Sequence, residues 1–194
     1  MNEIKTNLGL DLIFLRRSVR AYTSKKLDRE TIESLLRAAV VAPTAMHQEP
    51  WRFVIIQDQA LLKKISTITK PLFEQHLHLV NQVREYIFHD FSDPNYNIFY
   101  GADTLIVIVA KVAGHFVEAD CWLAAENIML AACQMGLGTC VIGSAVMALN
   151  TQEIRDQLKI PSGYAAIAPI IVGVPQGITA TSLRKEPIVL SWIY

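Results

Sequence analysis

Three arginines and a serine stand close together near the amino end of the chain, in residues 16–20 (RRSVR). Arginine makes forked, charge-assisted hydrogen bonds to phosphate, and a serine hydroxyl adds a neutral donor. This spacing is typical of a phosphate site. Because Lys25 and Lys26 follow closely, a solvated basic turn is the alternative interpretation, and composition alone favours it.

A second segment, residues 42–51 (APTAMHQEPW), places two prolines on either side of small and polar residues and ends at Trp51. Proline restricts the backbone, so a rigid loop between a helix and a strand is predicted. Ligand contacts often concentrate in such loops, and small side chains let a flat ring lie against the main chain. An ordinary helix-to-strand connection explains the segment equally well.

Two further segments could contact a ligand. Residues 136–144 (GLGTCVIGS) place glycines around a strand, so backbone N–H groups could approach a planar ligand closely. The glycine spacing is not that of a dinucleotide fingerprint, and a helix cap followed by a strand end is the alternative. Arg184 and Lys185 form a compact positive pair that suits either a phosphate or a solvated tail.

Hydrophobic periodicity predicts the elements that must position these segments. Apolar runs predict strands at 53–56, 104–110, 139–143 and 165–174, and the β-branched run 104–110 is typical of a central strand buried on both faces. Helical spacing and caps predict helices from Asp28 to about Val40, over 58–68, 71–91 and 116–135, and from Asn150 to Leu158. Helices and strands alternate without a linker, which predicts a single mixed domain over residues 1–194.

Two apolar surfaces need a cover. The helix predicted over 116–135 is apolar nearly all round, and a helix of that kind must be covered on every side. The tail, residues 177–194, shows little helical pattern and ends in an apolar group, so it is expected to pack on its own chain or on a partner. In a chain this short, full coverage of the helix is easier if a second copy of the protein supplies one wall.

Composition narrows the class of protein. The chain has 194 residues, 52% of them hydrophobic, and a formal net charge of zero, so no global attraction to nucleic acid or to an anionic membrane is expected. No uncharged apolar stretch reaches the roughly 18 residues of a spanning helix. The three cysteines form no CxxC or zinc spacing and are expected to be reduced, small buried residues of a cytoplasmic protein.

Together and in this order, these segments resemble the FMN-dependent nitroreductase family, and the resemblance covers nearly the whole chain. RRSVR is similar to the family's phosphate-binding start, and APTAMHQEPW to its AP-S/T-A-x-N-x-QPW loop. The central helix matches through Asp120 and AAENIMLAA, in which Asn127 stands at a characteristic asparagine, and continues into GLGTCVIG. LRKEP resembles the family's basic carboxyl-terminal phosphate contact.

The chain departs from the family pattern at two positions. His47 stands where the family usually has asparagine, and Glu49 stands where it usually has glutamine. The asparagine commonly faces the flavin in relatives, so His47 could alter flavin polarity or ligand contacts. A carboxylate at Glu49 needs a basic neighbour if it is buried. Both departures put a standard substrate range in doubt.

The resemblance implies an α+β, nitroreductase-like fold with a central, mostly antiparallel sheet flanked by helices. It also implies an intertwined homodimer with two FMN sites at its interface, and a tail that packs on the partner. Arg16, Arg20 and Arg184 or Lys185 would hold the phosphate, with Arg17 and Ser18 at the ribityl chain or the pyrimidine edge. The ring would meet Val141, Ile142, Gly143 and Ser144 of one subunit and Pro43, Thr44, Ala45 and His47 of the other. For Asn127 a structural role inside the central helix is expected.

The implied activity is reduction of nitroaromatics, quinones or similar small acceptors by NADH or NADPH through FMN, in a ping-pong sequence of hydride transfers. The chemistry belongs mainly to the cofactor, so no catalytic acid, base or nucleophile and no metal ligand is assigned. Two alternatives stay open. One is a specialised flavin oxidase or dehydrogenase for a single metabolite, and the other is a flavin-binding or storage protein without turnover.

Overall fold

The computed structural model describes residues 8–79, 91, 93, 95–111, 113–181 and 183–194. Within these ranges the helices are α1 (Leu8–Leu15), α2 (Arg29–Ala39), α3 (Gln59–Leu79), α4 (Val117–Gln134), α5 (Ala145–Leu149) and α6 (Gln152–Gln157). The strands are β1 (Trp51–Ile56), β2 (Thr104–Lys111), β3 (Gly138–Val141) and β4 (Tyr164–Gly173). No helix in the described part of the chain has both the length and the apolar character needed to cross a membrane.

The four strands form one sheet in the order β1-β2-β4-β3, and every neighbouring pair is antiparallel. All four predicted strands are confirmed with small shifts of their ends, and the predicted α+β class with an antiparallel sheet is confirmed as well. Side chains of β2 alternate between two hydrophobic cores, with Leu105 and Val107 on one face and Ile106 and Ile108 on the other. The prediction that this strand is buried on both faces is therefore confirmed.

Helices cover both faces of the sheet. On one face α4 packs together with α2, and its buried alanines, Ala124, Ala125 and Ala132, let the helix lie close to the strands. On the other face α3, α5 and α6 cover the sheet, and they contribute Leu62, Leu149 and Ile154 to that core. Leu123 on α4 remains 46% exposed, so one chain leaves part of this helix uncovered.

Two helix ends follow the sequence prediction. Asp28 caps α2, where its Oδ1 accepts a hydrogen bond of 2.7 Å from the Thr31 N–H. That hydrogen bond lowers the pKa of Asp28 below its ordinary value. Gly136 follows α4 with φ +71°, a left-handed conformation that glycine adopts without a steric penalty.

The helix boundary predicted near Pro71 is wrong. The break expected at Pro71 does not occur, because α3 runs through that residue. Proline removes one helical hydrogen bond, but Leu62 and Ile65 before it and Leu72 after it pack on the same core. Residues 80–90, predicted to continue a second helix and including Val83 and Ile87, lie outside the described residues.

Asn150 was predicted to cap a helix at its amino end, and instead it ends α5. Its side chain binds the main chain of Ala166, accepting from the N–H and donating to the carbonyl at 2.9 Å each. Backbone groups at the start of β4 need partners, and the carboxamide supplies both a donor and an acceptor. Thr151 occupies the amino-terminal cap of α6.

Candidate functional site

The arginine-rich segment lies along the edge of β3. The Val19 N–H donates to the Thr139 carbonyl at 2.9 Å, and the Thr23 N–H donates to the Val174 carbonyl at 2.9 Å. Val19 and Tyr22 are buried against the sheet. Their neighbours in sequence, Ser18 and Arg20, are exposed, so the segment presents its polar side chains to the site.

Two glycines make this close approach possible. A Cβ atom added to Gly138 would lie 2.7 Å from Val19 Cγ2, and one added to Gly173 would lie 2.9 Å from Tyr22 Cδ1. Both distances are shorter than van der Waals contact, so larger residues at these positions would push the segment off the sheet.

Burial controls the ionisation of two groups beside the segment. Tyr22 Oη donates to the Val19 carbonyl at 2.8 Å, and burial raises the pKa of Tyr22 far above its ordinary value. Burial also raises the pKa of Cys140, although the positive charges of Arg20 and Arg16 oppose that shift. Both groups are therefore neutral at physiological pH.

A cavity of about 540 Å³ lies beside this segment and is called here the basic cavity. It is lined by Arg16, Arg17, Ser18, Arg20, Ala21, Gln176, Ile178, Thr179, Ala180 and Arg184. Arg184 therefore joins the amino-terminal arginines, although more than 160 residues separate them in sequence. Lys185 does not line the cavity, and no carboxylate of the described residues does either. The donor set suits a phosphate group.

Two of the arginines also have partners within the chain. Arg16 Nε lies 3.4 Å from Glu126 Oε1 on α4. Arg17 Nη1 donates to the carbonyl of Phe14 and, at 2.8 Å, to that of Arg16. These contacts fix both side chains at the end of α1, where they border the basic cavity.

A second cavity of about 590 Å³, called here the aromatic cavity, opens at the end of β3. Its lining includes Val141, Ile142, Gly143 and Ser144, which sequence analysis placed at the ring of the cofactor. Arg20 lines both cavities, so the two spaces meet at its side chain. A Cβ atom added to Gly143 would have no neighbour within 4 Å, so the space in front of this main chain is open.

Four aromatic side chains also line this cavity and are called here the aromatic wall: Phe73, Phe91, Tyr96 and Tyr100. Their ring centroids follow one another at 5.3, 5.7 and 5.9 Å. The Arg20 guanidinium lies 5.9 Å from the centroid of the Tyr100 ring. This wall was not predicted from the sequence. The spacing of Tyr96 and Tyr100 was a usable signal, but nothing in sequence linked them to Phe73.

The loop at residues 42–51 lies apart from both cavities. Pro43 and His47 are exposed, Thr44 and Ala45 are half-buried, and none of the four lines either cavity. Glu49 is exposed, so its carboxylate does not need the buried basic partner considered from sequence. A single chain thus brings together the arginine, serine and β3-end residues of the predicted site but not the loop residues.

Asn127 has the structural contact that was expected of it. Its Nδ2 donates to the Ala38 carbonyl at 3.1 Å and so ties α4 to the end of α2. Neither Asn127 nor Ala38 lines either cavity.

Comparison with known proteins agrees with this architecture. The model of the nitroreductase family matches residues 13–174. A provisionally named NADH dehydrogenase/NAD(P)H nitroreductase of Archaeoglobus fulgidus is 30% identical over 172 residues, which cover 86% of this chain and 85% of that protein. Iodotyrosine deiodinase 1 of Rattus norvegicus is 26% identical, over 91% of this chain and 65% of the relative. Among solved structures, an FMN-dependent nitroreductase of Clostridium difficile R20291 superposes with a TM-score of 0.77 at 28% identity, covering 96% and 99% of the two chains.

Proposed function

This chain belongs to the nitroreductase family, and from that premise we propose that it is an FMN-dependent oxidoreductase that uses NADH or NADPH to reduce small acceptors. The observation that carries the proposal is the meeting of two cavities at Arg20, one basic and one walled by aromatic rings. A molecule with a phosphate at one end and a flat ring at the other fits that pair of spaces.

The phosphate belongs in the basic cavity. We assign it to Arg16, Arg20 and Arg184, with Arg17 and Ser18 toward the ribityl chain, because all five side chains line that space. Lys185 follows Arg184 directly and is exposed, so it adds positive charge to the approach. Forked guanidinium donors hold phosphate strongly. No carboxylate of the described residues lines the cavity, and among its arginines Arg16 has a carboxylate neighbour, Glu126, at 3.4 Å.

The ring belongs at the end of β3. Val141, Ile142, Gly143 and Ser144 line the aromatic cavity, and the open space at Gly143 leaves the main chain accessible to a flat ligand. Backbone N–H groups there would orient the ring, and the buried Ile142 keeps water from the side facing the sheet. When bound, FMN would accept a hydride from NADH or NADPH and pass electrons to an acceptor in alternating half-reactions.

The second face of the ring belongs to another copy of the chain. Pro43, Thr44, Ala45 and His47 line neither cavity of their own chain, so we assign them to the site of the partner in a homodimer. The apolar surface that one chain leaves open supports this assignment. It includes Phe14 on α1, Leu123 on α4 and Leu190 in the tail, exposed by 70%, 46% and 96%.

The aromatic wall supports acceptors with a planar ring. Aromatic side chains prefer offset or edge contacts with other rings, and Phe73 and Phe91 line the same cavity as Gly143. Nitroaromatics and quinones meet that requirement. The chain itself needs to supply only binding and orientation, so we assign no catalytic acid, base or nucleophile.

His47 supports a second candidate, a flavin enzyme dedicated to one metabolite. An imidazole stands where the family usually has asparagine, on a loop that we place against the flavin. The rat relative named iodotyrosine deiodinase 1 shows that the same fold family includes a protein named for one substrate. This candidate keeps the fold and the cofactor and changes only the reducing or oxidising partner.

The test is an anaerobic absorbance spectrum of the purified protein before and after adding NADH or NADPH. We expect flavin bands that bleach with the nicotinamide and return when a quinone or nitroaromatic is added. Bound flavin that neither nicotinamide reduces would favour the dedicated enzyme or a storage protein. A colourless protein that fails to bind added FMN would overturn the proposal.

A further inference from the structure

A buried carboxylate holds the loop that we place at the partner's flavin. Asp120, in the first turn of α4, is 3% exposed. Its Oδ1 accepts a hydrogen bond of 3.1 Å from the backbone N–H of Ala45, 75 residues earlier in the chain. This hydrogen bond ties the middle of the loop to the helix that packs on the sheet.

The loop needs such a tie because its backbone is strained. Met46, His47 and Glu49 have φ of +53°, +52° and +45°. Residues other than glycine adopt this left-handed region at a free-energy cost, and they remain there only when surrounding contacts impose it. The two end residues of the loop, Ala42 and Trp51, are themselves buried and anchor it.

Between those ends, two backbone hydrogen bonds join residues of the loop to one another. The His47 N–H reaches the Thr44 carbonyl at 3.4 Å, and the Gln48 N–H reaches the Ala45 carbonyl at 3.1 Å. Both bonds join residues of the loop to one another, so neither fixes the loop to the rest of the protein. The Asp120 carboxylate does, and it binds the residue directly before the first left-handed position.

Holding the loop with the buried Asp120 carboxylate carries a cost in folding stability. Asp120 Oδ2 has no hydrogen-bond partner among the described residues, and a buried carboxylate with an unmatched oxygen is unfavourable. The amino end of α4 offsets part of that cost, because the helix dipole favours negative charge in the first turn. What the charge adds is a strong, directional acceptor for one loop amide.

We propose that Asp120 is a positioning residue of the flavin site, which fixes the backbone of residues 44–47 so that Thr44, Ala45 and His47 meet the flavin of the partner subunit. This inference rests on the proposed function for the identity of the ligand. The tie between Asp120 and the loop does not depend on it.

The chain offers a matched control. Asn127 lies two turns further along α4 and also makes one tie to another segment, through the Ala38 carbonyl at 3.1 Å. Asn127→Ala removes a hydrogen bond of similar geometry from the same helix without touching the loop. Asp120→Ala removes the loop tie, and Asp120→Asn keeps an acceptor oxygen at the Oδ1 position while removing the charge.

Hydrogen exchange of the purified protein, followed by mass spectrometry, measures the tie directly. In Asp120→Ala we expect the amides of residues 44–49 to exchange about tenfold faster or more, since a charge-assisted hydrogen bond is lost. Asn127→Ala should leave these amides unchanged. Asp120→Asn keeps the acceptor oxygen without the charge, so it should restore part of the protection and give exchange rates between those of wild type and Asp120→Ala.

FMN retention of the holoprotein gives the second measurement. We expect Asp120→Ala to bind FMN about tenfold more weakly, with a changed visible spectrum, while Asn127→Ala keeps the wild-type spectrum. Loop exchange that is equal in wild type and both Asp120 variants would overturn the positioning role. Faster loop exchange with unchanged FMN affinity and spectrum would overturn its link to the flavin, while a wild type without FMN would overturn the proposed function itself.

Discussion

Two thiols of the chain are buried, Cys140 beside the aromatic cavity and Cys121 in the core, and burial makes both of them poor nucleophiles. The pKa of Cys121 is raised to about 12, chiefly by burial, and the negative charges of Asp120 and Glu118 raise it further. The pKa of Cys140 is also raised by burial, against the nearby arginines. Neither thiol is poised for covalent chemistry, in agreement with a site in which a cofactor carries the reaction.

The shift at Cys121 predicts a pH dependence of stability. Because its folded-state pKa lies above the ordinary value of 9.0, the thiol contributes fully below pH 9, and this contribution is lost as pH rises from 9 toward about 12. We expect the free energy of unfolding of wild type to fall more steeply between pH 8 and pH 10.5 than that of Cys121→Ala. Urea denaturation at the two pH values measures the difference.

Alkylation provides a control for this prediction. At pH 8 iodoacetamide should label the half-buried Cys133 well before Cys121 or Cys140. Equal pH slopes for wild type and Cys121→Ala, together with rapid labelling of Cys121 in the folded protein, would contradict the assigned burial and pKa.

Single residues of the site were predicted from sequence to an uneven extent. Arg16, Ser18 and Gly143 could be proposed as ligand contacts from sequence, because the chemistry of guanidinium groups, a hydroxyl and a small residue is evident from residue type alone. Tyr100 and Phe73 could not, because aromatic residues on a helix or a turn are more often part of the core. Their role depends on which of them face a common cavity, and only the tertiary structure decides that.

At the scale of secondary-structure elements, the candidate site forms where an irregular segment, residues 16–22, packs on the edge of β3. Residues 16–22 lie against β3 because Gly138 leaves room for Val19. We expect Gly138→Ala to destabilise the fold by about 1–3 kcal/mol, a typical cost of overpacking, and to weaken FMN binding, since the arginines of the basic cavity would move. The second change Val19→Ala should recover most of both losses, and thermal unfolding with FMN titration measures them.

Gly143→Ala is the matched counterpart. Its added methyl group meets no protein atom within 4 Å, so folding stability should change by less than about 0.5 kcal/mol. FMN affinity should nevertheless fall, because the methyl group enters the space assigned to the ring. If Gly143→Ala bound FMN as tightly as wild type, the ring would lie elsewhere.

Elements were easier to predict than their ends. The strands emerged because β-branched apolar runs such as residues 104–110 suit no other buried element in a chain of mixed composition. The continuation of α3 through Pro71 and the role of Asn150 at Ala166 were not predicted from the sequence. In both cases a tertiary contact overrides a local conformational preference, because the free energy of the local preference is smaller than that of tertiary packing.

For the molecule as a whole, the exposed carboxyl-terminal tail predicts an obligate partner. Ile188, Trp192 and Ile193 are 83%, 69% and 92% exposed in one chain, and burying them would stabilise an assembly by roughly 25 cal/mol per Å² of apolar surface. Deleting residues 187–194 should therefore weaken the proposed dimer at least about tenfold. Light scattering coupled to size-exclusion chromatography over a range of concentrations measures this.

Arg184→Ala is the control for the deletion. It removes one charge from the basic cavity but keeps the whole tail, so it should lower FMN affinity without changing the oligomeric state. A monomeric wild type, or a deletion variant that dimerises as tightly as wild type, would contradict the role of the tail.

The sequence by itself determined the kind of fold, the arginine-rich segment and the small residues at the end of β3, because hydrophobic periodicity and side-chain chemistry are local properties. The tertiary structure decided which of these residues share a cavity, placing Arg184 with Arg16 and leaving His47 outside. It also decided that Asp120 meets Ala45 across 75 residues. Such long-range contacts depend on how helices and strands pack, and packing energies are summed over the whole core instead of being carried by any one segment.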